Sequence, residues 1–167
     1  MRYQINIYLF IAFIAFIASC EEKHEVKPAT YSLLLTGEES KSWRQSSFTF
    51  IFEDPQVDDL DANQIYGIPQ CALDDIYTFY REGKQLEVYD GNDKCDPEGD
   101  DLLFRTNWDI VNANASLFIG GGEPFTLSRL TDDSLVYGFR DTLVLEVAEA
   151  TFWEFPGEAQ WVYKPIN

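Results

Sequence analysis

The sequence is short of the residues that most catalytic and metal sites need. Its 167 residues include one histidine, His24, and three cysteines. Nucleophilic triads need an imidazole beside the nucleophile, and zinc sites commonly take His or Cys ligands. Because the one histidine lies in a charged stretch near the start of the chain, the body of the protein offers neither arrangement. We therefore expect a protein that is not an enzyme and that has no cofactor.

Basic residues are also scarce. Twelve Lys and Arg stand against 29 Asp and Glu, which gives a formal net charge of −17. A surface this acidic repels phosphate backbones, so nucleic acid is excluded as a partner, and binding to anionic membranes by charge is disfavoured. A cationic partner stays open. The plainer interpretation is that the charge keeps an exported protein soluble and monomeric.

The apolar run at the N terminus is too short to span a bilayer. Ile7–Ala18 has 12 residues, whereas a transmembrane helix needs about 20. With Arg2 before it and small residues after it, the run has the parts of a secretory signal. Cleavage near Ala18 is one alternative and would leave Cys20 as an unmodified thiol.

The tripeptide Ala18-Ser19-Cys20 resembles the lipobox of bacterial lipoproteins. The resemblance implies that residues 1–19 are a signal peptide and that Cys20 becomes the lipidated first residue, joined to the body by a flexible tether over residues 20–30. Several acyl chains together anchor a protein stably. We expect a location in the bacterial cell envelope, anchored to the outer membrane by lipid. Glu21-Glu22 resembles an export signal and modestly favours exposure on the cell surface.

Two cysteines remain after Cys20. Cys71 and Cys95 are 24 residues apart, and an exported protein folds where disulfides persist. In the chain-entropy model a bridge between them would stabilise the fold by about 3.5 kcal/mol. The alternative is two unpaired thiols.

From Ser42 onward, apolar and polar residues alternate with the period of two that is typical of β-strands. A helical turn at Tyr31–Gly37, with Thr30 as its N-cap, precedes them. The predicted strands are 42–52, 75–80, 85–89, 103–111, 116–119, 125–130, 134–139 and 142–147, with pieces 152–155 and 160–163 after them. A turn is predicted at Pro156-Gly157. Eight or nine short antiparallel strands indicate a closed up-and-down barrel or a sandwich.

Several short blocks resemble the bacterial lipocalin-like lipoproteins. They are Leu35-Thr-Gly-Glu-Glu-Ser-Lys-Ser-Trp43, Cys71-Ala-Leu-Asp-Asp-Ile-Tyr-Thr-Phe79, Lys94-Cys95-Asp96-Pro97, Asn107-Trp108 and Leu130-Thr-Asp-Asp-Ser-Leu-Val136. The resemblance implies an all-β, antiparallel, lipocalin-like barrel of about eight strands over residues 31–167. It also implies a long first loop, residues 53–73, near the mouth. The Trp- and Phe-rich stretch after Val147 departs from the family pattern.

The acidic loop 90–101 is the stretch whose oxygen-bearing side chains suggest a metal site. Asp90, Asn92 and Asp96 are weak candidates for calcium ligands, since calcium takes six to eight oxygen ligands. The loop lacks the spacing of an EF-hand and its closing Glu, and a solvated turn explains the same residues. We therefore expect no metal.

Aromatic residues carry the functional prediction. Those that alternate on the predicted strands are Tyr77, Phe79, Trp108, Phe125, Tyr137 and Phe139. A barrel of about eight strands either fills with side chains or holds one small ligand. An aromatic lining suits an apolar or ring-bearing molecule, whereas plain core packing explains the same residues equally well. We expect non-catalytic binding of a small hydrophobic or amphipathic ligand.

Two alternatives stay open. In one, the acidic loops 53–61 and 90–101 dock a basic protein partner, as some small anchored barrels do when they inhibit cell-wall hydrolases. Neutralising Asp58, Asp59 and Asp61 should then abolish binding, and added salt should weaken it. In the other, the protein is a structural envelope lipoprotein with a filled barrel.

Overall fold

The computed structural model describes residues 28–111 and 116–166, and antiparallel strands dominate them. A helix, α1, comes first, and two short helical turns and a second helix, α2, lie between the strands. The elements in order are α1 (Pro28–Thr36), β1 (Ser40–Phe52), β2 (Leu60–Asp61), α2 (Ala62–Ile65), a 3₁₀ turn (Gln70–Ala72), β3 (Ile76–Tyr80), a 3₁₀ turn (Glu82–Lys84), β4 (Gln85–Tyr89), β5 (Leu102–Val111), β6 (Ser116–Ile119), β7 (Phe125–Leu130), β8 (Leu135–Ala148) and β9 (Thr151–Pro165).

The strands form one sheet that closes into a ring. Their hydrogen-bonded order is β2-β1-β3-β4-β5-β6-β7-β8-β9, and β9 pairs back with β1. Residues 40–44 of β1 pair with β3, and Thr49 and Phe50 pair with the two-residue β2 on the same edge. Eight strands therefore close the ring, with β2 as a short addition. The predicted antiparallel all-β class and the approximate number of strands are confirmed.

The last hairpin differs from the prediction. Strands 134–139 and 142–147 were expected to be separate, but β8 continues through Arg140 and Asp141 because both residues pair with β9. The predicted turn at Pro156-Gly157 is also wrong, since β9 runs through it without interruption. The chain reverses instead at Glu149-Ala150, where Ala150 has a φ of 57°.

Pro156 and Gly157 fit inside a strand because of their neighbours on β1. Pro156 has no N–H to donate, but its carbonyl accepts a hydrogen bond of 3.0 Å from the backbone N of Glu53, where β1 has just ended. At Gly157 a Cβ atom would lie 2.4 Å from Cε1 of Phe50. The absence of a side chain therefore allows the buried Phe50 ring to lie directly against the backbone of β9.

Helix α1 closes one end of the ring. Its Leu35 is fully buried, and the Leu35 carbonyl accepts a hydrogen bond of 2.9 Å from Nε1 of Trp43. Gly37 ends the helix with a φ of 63°, as predicted, and its N–H donates to the Leu33 carbonyl. The prediction of Thr30 as N-cap is wrong, because the helix begins at Pro28, a residue suited to the first helical position.

The core consists of two clusters. The first, which we call the helix-end cluster, contains Leu35, Trp43, Phe79, Leu86, Val88, Trp108, Leu117, Leu127, Leu130, Leu135, Tyr137 and Tyr163. The second, which we call the loop-end cluster, contains Phe48, Phe50, Phe52, Ala62, Leu143 and Ala159. Trp161 packs against both clusters, so it lies where they meet.

The long connection between β1 and β3 folds over the loop-end cluster. The expected loop 53–73 contains β2 and α2, and α2 contributes the buried Ala62. The side chain of Asp61 caps α2 by accepting a hydrogen bond of 3.0 Å from the N–H of Asn63. The expected disulfide between Cys71 and Cys95 is present, with its Cα atoms 5.1 Å apart. It fastens this connection to the one between β4 and β5.

Candidate functional site

Trp161 lies at the centre of an aromatic group inside the ring. Its indole stacks on Phe48, with ring centroids 4.0 Å apart and planes inclined by 3°. Its centroid is also 5.8 Å from that of Phe125, 5.5 Å from Tyr137 and 5.6 Å from Phe139. These separations are typical of favourable aromatic pairs. Trp161, Phe125 and Phe139 remain partly exposed.

Tyr66 adds a ring from the β1–β3 connection. Its centroid is 5.4 Å from Phe48 and 5.8 Å from Phe139. Its hydroxyl donates a hydrogen bond of 2.6 Å to Oδ2 of Asp141, which holds the connection against β8. Desolvation, together with the Asp141 carboxylate, raises the pKa of Tyr66, so its hydroxyl stays neutral. We call Trp161, Phe125, Phe139, Phe48 and Tyr66 the aromatic site.

Three tyrosines place hydroxyl groups beside the aromatic site. The hydroxyl oxygens of Tyr137 and Tyr163 are 3.1 Å apart and share a hydrogen bond. The ring of Tyr77 lies 5.0 Å from that of Tyr163. Burial raises the pKa of all three phenols, which keeps them neutral. The interior is therefore apolar and uncharged at this point, with hydroxyl groups as its polar atoms.

The structure places the six predicted lining residues at two depths. Phe79, Trp108 and Tyr137 are buried in the helix-end cluster. Nε1 of Trp108 already donates a hydrogen bond of 3.1 Å to the carbonyl of Tyr80, so it is not available to a ligand. Tyr77, Phe125 and Phe139 are partly buried and pack against the edges of the two clusters. The last three are the predicted residues that the fold leaves partly exposed.

Sequence reasoning missed Trp161, Phe48 and Tyr66 as members of the site. Trp161 falls in a piece, 160–163, that was identified as a strand, but the turn expected before it left its partners undefined. Tyr66 follows α2 in a stretch without periodicity, so no local signal points it toward the ring. The phase of β1 does point to Phe48, because Phe48, Phe50 and Phe52 alternate with less buried residues.

A concavity lies on the outer surface of the sheet. It encloses about 670 Å³ and is lined by Gly83, Lys84, Asn107, Trp108, Asp109, Val111, Phe118 and Gly121. Lys84 forms an ion pair with Asp109 within it. The two charges offset each other, so the pocket offers mainly apolar contact from Val111 and Phe118.

Three carboxylates meet where the two disulfide-linked connections come together. Oδ1 of Asp74, of Asp75 and of Asp90 is buried and has no hydrogen-bond partner among the described residues. Asp75 is only 5% exposed. Burial, together with the charges of Asp90 and Asp74, raises the pKa of Asp75 to about 6, although a hydrogen bond from the Gly91 backbone opposes the rise.

The structure places the weak metal candidates around this group without gathering them into a metal site. The backbone N of Asn92 donates to Asp74 at 2.7 Å, and Oδ1 of Asp96 accepts from the backbone N of Glu98 at 3.1 Å. Across residues 28–111 and 116–166, no group of three or more His, Cys, Asp or Glu side chains is placed to hold a metal ion.

Asp58 and Asp59, predicted for a basic partner, are exposed on the β1–β3 connection. Asp61 is exposed as well but is engaged in capping α2. The predicted signal peptide, Cys20 and His24 lie outside the described residues. Within the described part of the chain, no helix has the length and hydropathy that crossing a bilayer requires.

The scan against protein-family models found no family that matches this chain, and no curated protein matches its sequence.

Proposed function

We propose that this chain is a lipid-anchored, lipocalin-like protein of the bacterial envelope that binds a small hydrophobic or amphipathic molecule without catalysis. The proposed binding site is the aromatic site around Trp161. The observation that carries the proposal is that Trp161 contacts four other rings inside the ring of strands and is nevertheless partly exposed. An apolar surface that covers aromatic side chains exposed to water lowers the free energy of the system.

The surroundings support an apolar or ring-bearing ligand. Phe125 and Phe139 offer faces and edges for stacking, and the buried hydroxyls of Tyr137 and Tyr163 lie beside them. A neutral phenol can donate to or accept from one polar group of an amphipathic molecule. The absence of charge at this point disfavours a ligand whose charged end enters first.

The arrangement of the ends supports the lipocalin-like assignment. Helix α1 covers one end of a closed antiparallel sheet, and the longest connection folds over the other end. The resemblance of the sequence blocks implies the closed antiparallel sheet and the long connection. The tether and the lipid would then leave from the α1 end, because α1 is preceded by the predicted tether.

A fluorescent apolar probe tests the proposal. We would titrate residues 20–167 carrying Cys20→Ser with N-phenyl-1-naphthylamine, whose emission rises in an apolar site. The expected result is a saturable rise. Phe139→Ala and Phe125→Ala should each weaken binding about fivefold, because each removes an aromatic contact worth about 1 kcal/mol.

Leu103→Ala is the matched control. Leu103 is 46% exposed and belongs to neither core cluster, so its removal should leave the titration unchanged. Thermal unfolding of each variant shows that the fold is retained. No saturable emission with the unsubstituted chain, or equal weakening by Leu103→Ala, would contradict the proposal.

Docking of a basic protein is the second candidate function. The exposure of Asp58 and Asp59 favours it. The pair Asp58→Asn and Asp59→Asn would abolish such docking while leaving the probe titration intact, because both residues lie outside the aromatic site. Asp61→Asn is a poorer test, since it also alters the cap of α2.

A further inference from the structure

The β8–β9 hairpin extends beyond its neighbouring strands. The pairing of β7 with β8 ends at Gly138, and the pairing of β1 with β9 ends at Gly157. Residues 142–148 and 151–156 therefore pair mainly with each other. We call these two segments the ribbon. A two-stranded ribbon is marginal in water unless another surface packs on it.

The ribbon exposes large apolar side chains. Phe152 is 61% exposed, Val144 59% and Trp153 58%, and Leu145 is exposed as well. Exposed apolar side chains are normal when scattered, but a contiguous group of them marks an interaction surface. Trp153 lies opposite Leu145 in the ladder, and Phe152 lies opposite Glu146, so both faces of the ribbon present aromatic rings.

One edge of the ribbon has backbone groups available for a further strand. On the side of β9 that β1 occupies elsewhere, no strand of the described chain pairs with residues 151–155. The Pro156 carbonyl points to that side, since it accepts from Glu53. Backbone groups alternate sides along a strand, so the N–H and C=O groups of Glu154 and Phe152 point the same way. Such an edge is a template for strand addition.

The groove beside this edge is both apolar and acidic. It encloses about 490 Å³ and is lined by Phe52, Glu53, Asp54, Trp153, Glu154, Phe155 and Pro156. The Phe155 ring lies 5.8 Å from Phe52 and 6.3 Å from Trp153, which forms a continuous aromatic wall. Three carboxylates line the groove, and one of them, Glu53, forms an ion pair with Arg140 at 3.5 Å, which leaves Asp54 and Glu154 for an occupant. It therefore suits an occupant with apolar and cationic side chains.

We propose that this edge binds an extended segment of a partner protein in which apolar and basic residues alternate. The segment takes the place that β1 would occupy if it continued past Phe52, and it pairs with the backbone of Phe152 and Glu154. Its apolar residues pack on Trp153 and Phe155, and its basic residues meet Asp54 and Glu154. A second copy of this chain is disfavoured, because the same carboxylates on two chains of net charge −17 repel each other.

A labelled peptide tests the pairing. Six residues of alternating Lys and Val would be titrated with residues 20–167 carrying Cys20→Ser, and binding would be followed by fluorescence anisotropy. The expected result is saturable binding that weakens with added salt, whereas a Glu-Val peptide of the same length does not bind. Because backbone N–H groups alternate sides, N-methylation of one alternate set of residues should abolish binding, and N-methylation of the other set should leave it intact.

Matched variants locate the contact. Glu154→Lys should weaken peptide binding about fivefold to tenfold, because it converts an attraction across strands into a repulsion. Glu123→Lys makes the same charge change at an exposed residue of the β6–β7 turn and should have no effect. Trp153→Ala should weaken binding as well and should leave the probe titration of the aromatic site unchanged.

Several results would overturn the proposal. They are absence of peptide binding, equal binding of both N-methylated peptides, and equal effects of Glu154→Lys and Glu123→Lys. Sedimentation that shows a dimer lost in Trp153→Ala would assign the ribbon to a second copy. Binding to phosphatidylcholine vesicles that Phe152→Ser and Trp153→Ala abolish, without peptide binding, would assign it to a lipid surface.

Discussion

The helix end of the ring and the region toward the ribbon use the same kinds of side chain and bury them to different extents. In the helix-end cluster, Leu35, Trp43, Leu86 and Leu117 are fully buried. Toward the ribbon, Trp161 and Phe139 stay partly exposed, and Trp153 is more than half exposed. The comparison teaches that aromatic content alone does not identify a site. Helix α1 covers one end and buries the aromatic residues there in the core. The region toward the ribbon is covered incompletely and leaves its aromatic residues available for binding.

The largest expected effect is at the covered end. Trp43→Ala should lower the free energy of unfolding by about 3–5 kcal/mol, because it removes a fully buried indole and its hydrogen bond to Leu35. Urea unfolding of the variant measures the loss. A change below about 1 kcal/mol would show that α1 does not seal this end.

The disulfide is the next test, because it links the β1–β3 and β4–β5 connections at the loop end. Replacing Cys71 and Cys95 together with serine should lower stability by about 3 kcal/mol. Thermal unfolding, compared with that of the unsubstituted chain with its disulfide intact, measures the loss, and the unsubstituted chain under reducing conditions is the control that should match the variant. If the disulfide acts only at the loop end, the variant should retain the near-ultraviolet circular dichroism of the tryptophans buried in the helix-end cluster. A collapse of that signal would mean that the two ends are not independent.

Asp75 gives a prediction that depends on pH. Burial raises its pKa to about 6, above the ordinary value of 3.8, so the folded state holds the proton more tightly than the unfolded state. This contribution to stability is therefore fully present below about pH 4 and is lost as the pH rises through 6. Asp75→Asn should stabilise the protein by about 2 kcal/mol at pH 7.5 and by little at pH 4. Equal effects at both pH values would contradict the assignment.

The smallest effect is expected on the ribbon. Trp153→Ala should change the free energy of unfolding by less than about 0.5 kcal/mol, since the side chain is 58% exposed. Together, Trp43→Ala and Trp153→Ala compare the same substitution in the helix-end cluster and on the ribbon. Urea unfolding under one set of conditions measures both. A loss at Trp153 comparable to that at Trp43 would mean that the ribbon is part of the core.

Most of the sheet was predictable because alternation is a local signal. Strands 85–89, 116–119 and 125–130 were predicted with the bounds of β4, β6 and β7, and the predicted bounds of β1, β3 and β5 lie within two residues of those in the structure, whereas the two-residue β2 was not predicted. The last hairpin was not predictable, because Pro156-Gly157 reads locally as a turn. What overrides that signal is the packing of Phe50 against Gly157, which no local pattern reveals.

The candidate site was predictable in part for the same reason. Phe125 and Phe139 lie on strands with clear alternation, so their inward direction followed from the pattern. Which aromatic residues are covered depends on α1 and on the β1–β3 connection, and these contacts join residues far apart in the chain. Tyr66 shows this most clearly, since its hydroxyl reaches Asp141, 75 residues away.

The most direct test of the aromatic site is the mass of the protein purified from its own cells. The protein would be cleaved in the proposed tether and analysed by native mass spectrometry, and the spectrum would be compared with that of the denatured protein. We expect the native mass to exceed the denatured mass by that of one small apolar molecule, and Phe139→Ala to reduce the occupied fraction. A protein that emerges bare, and that also fails to bind N-phenyl-1-naphthylamine, would contradict the account and indicate a filled ring.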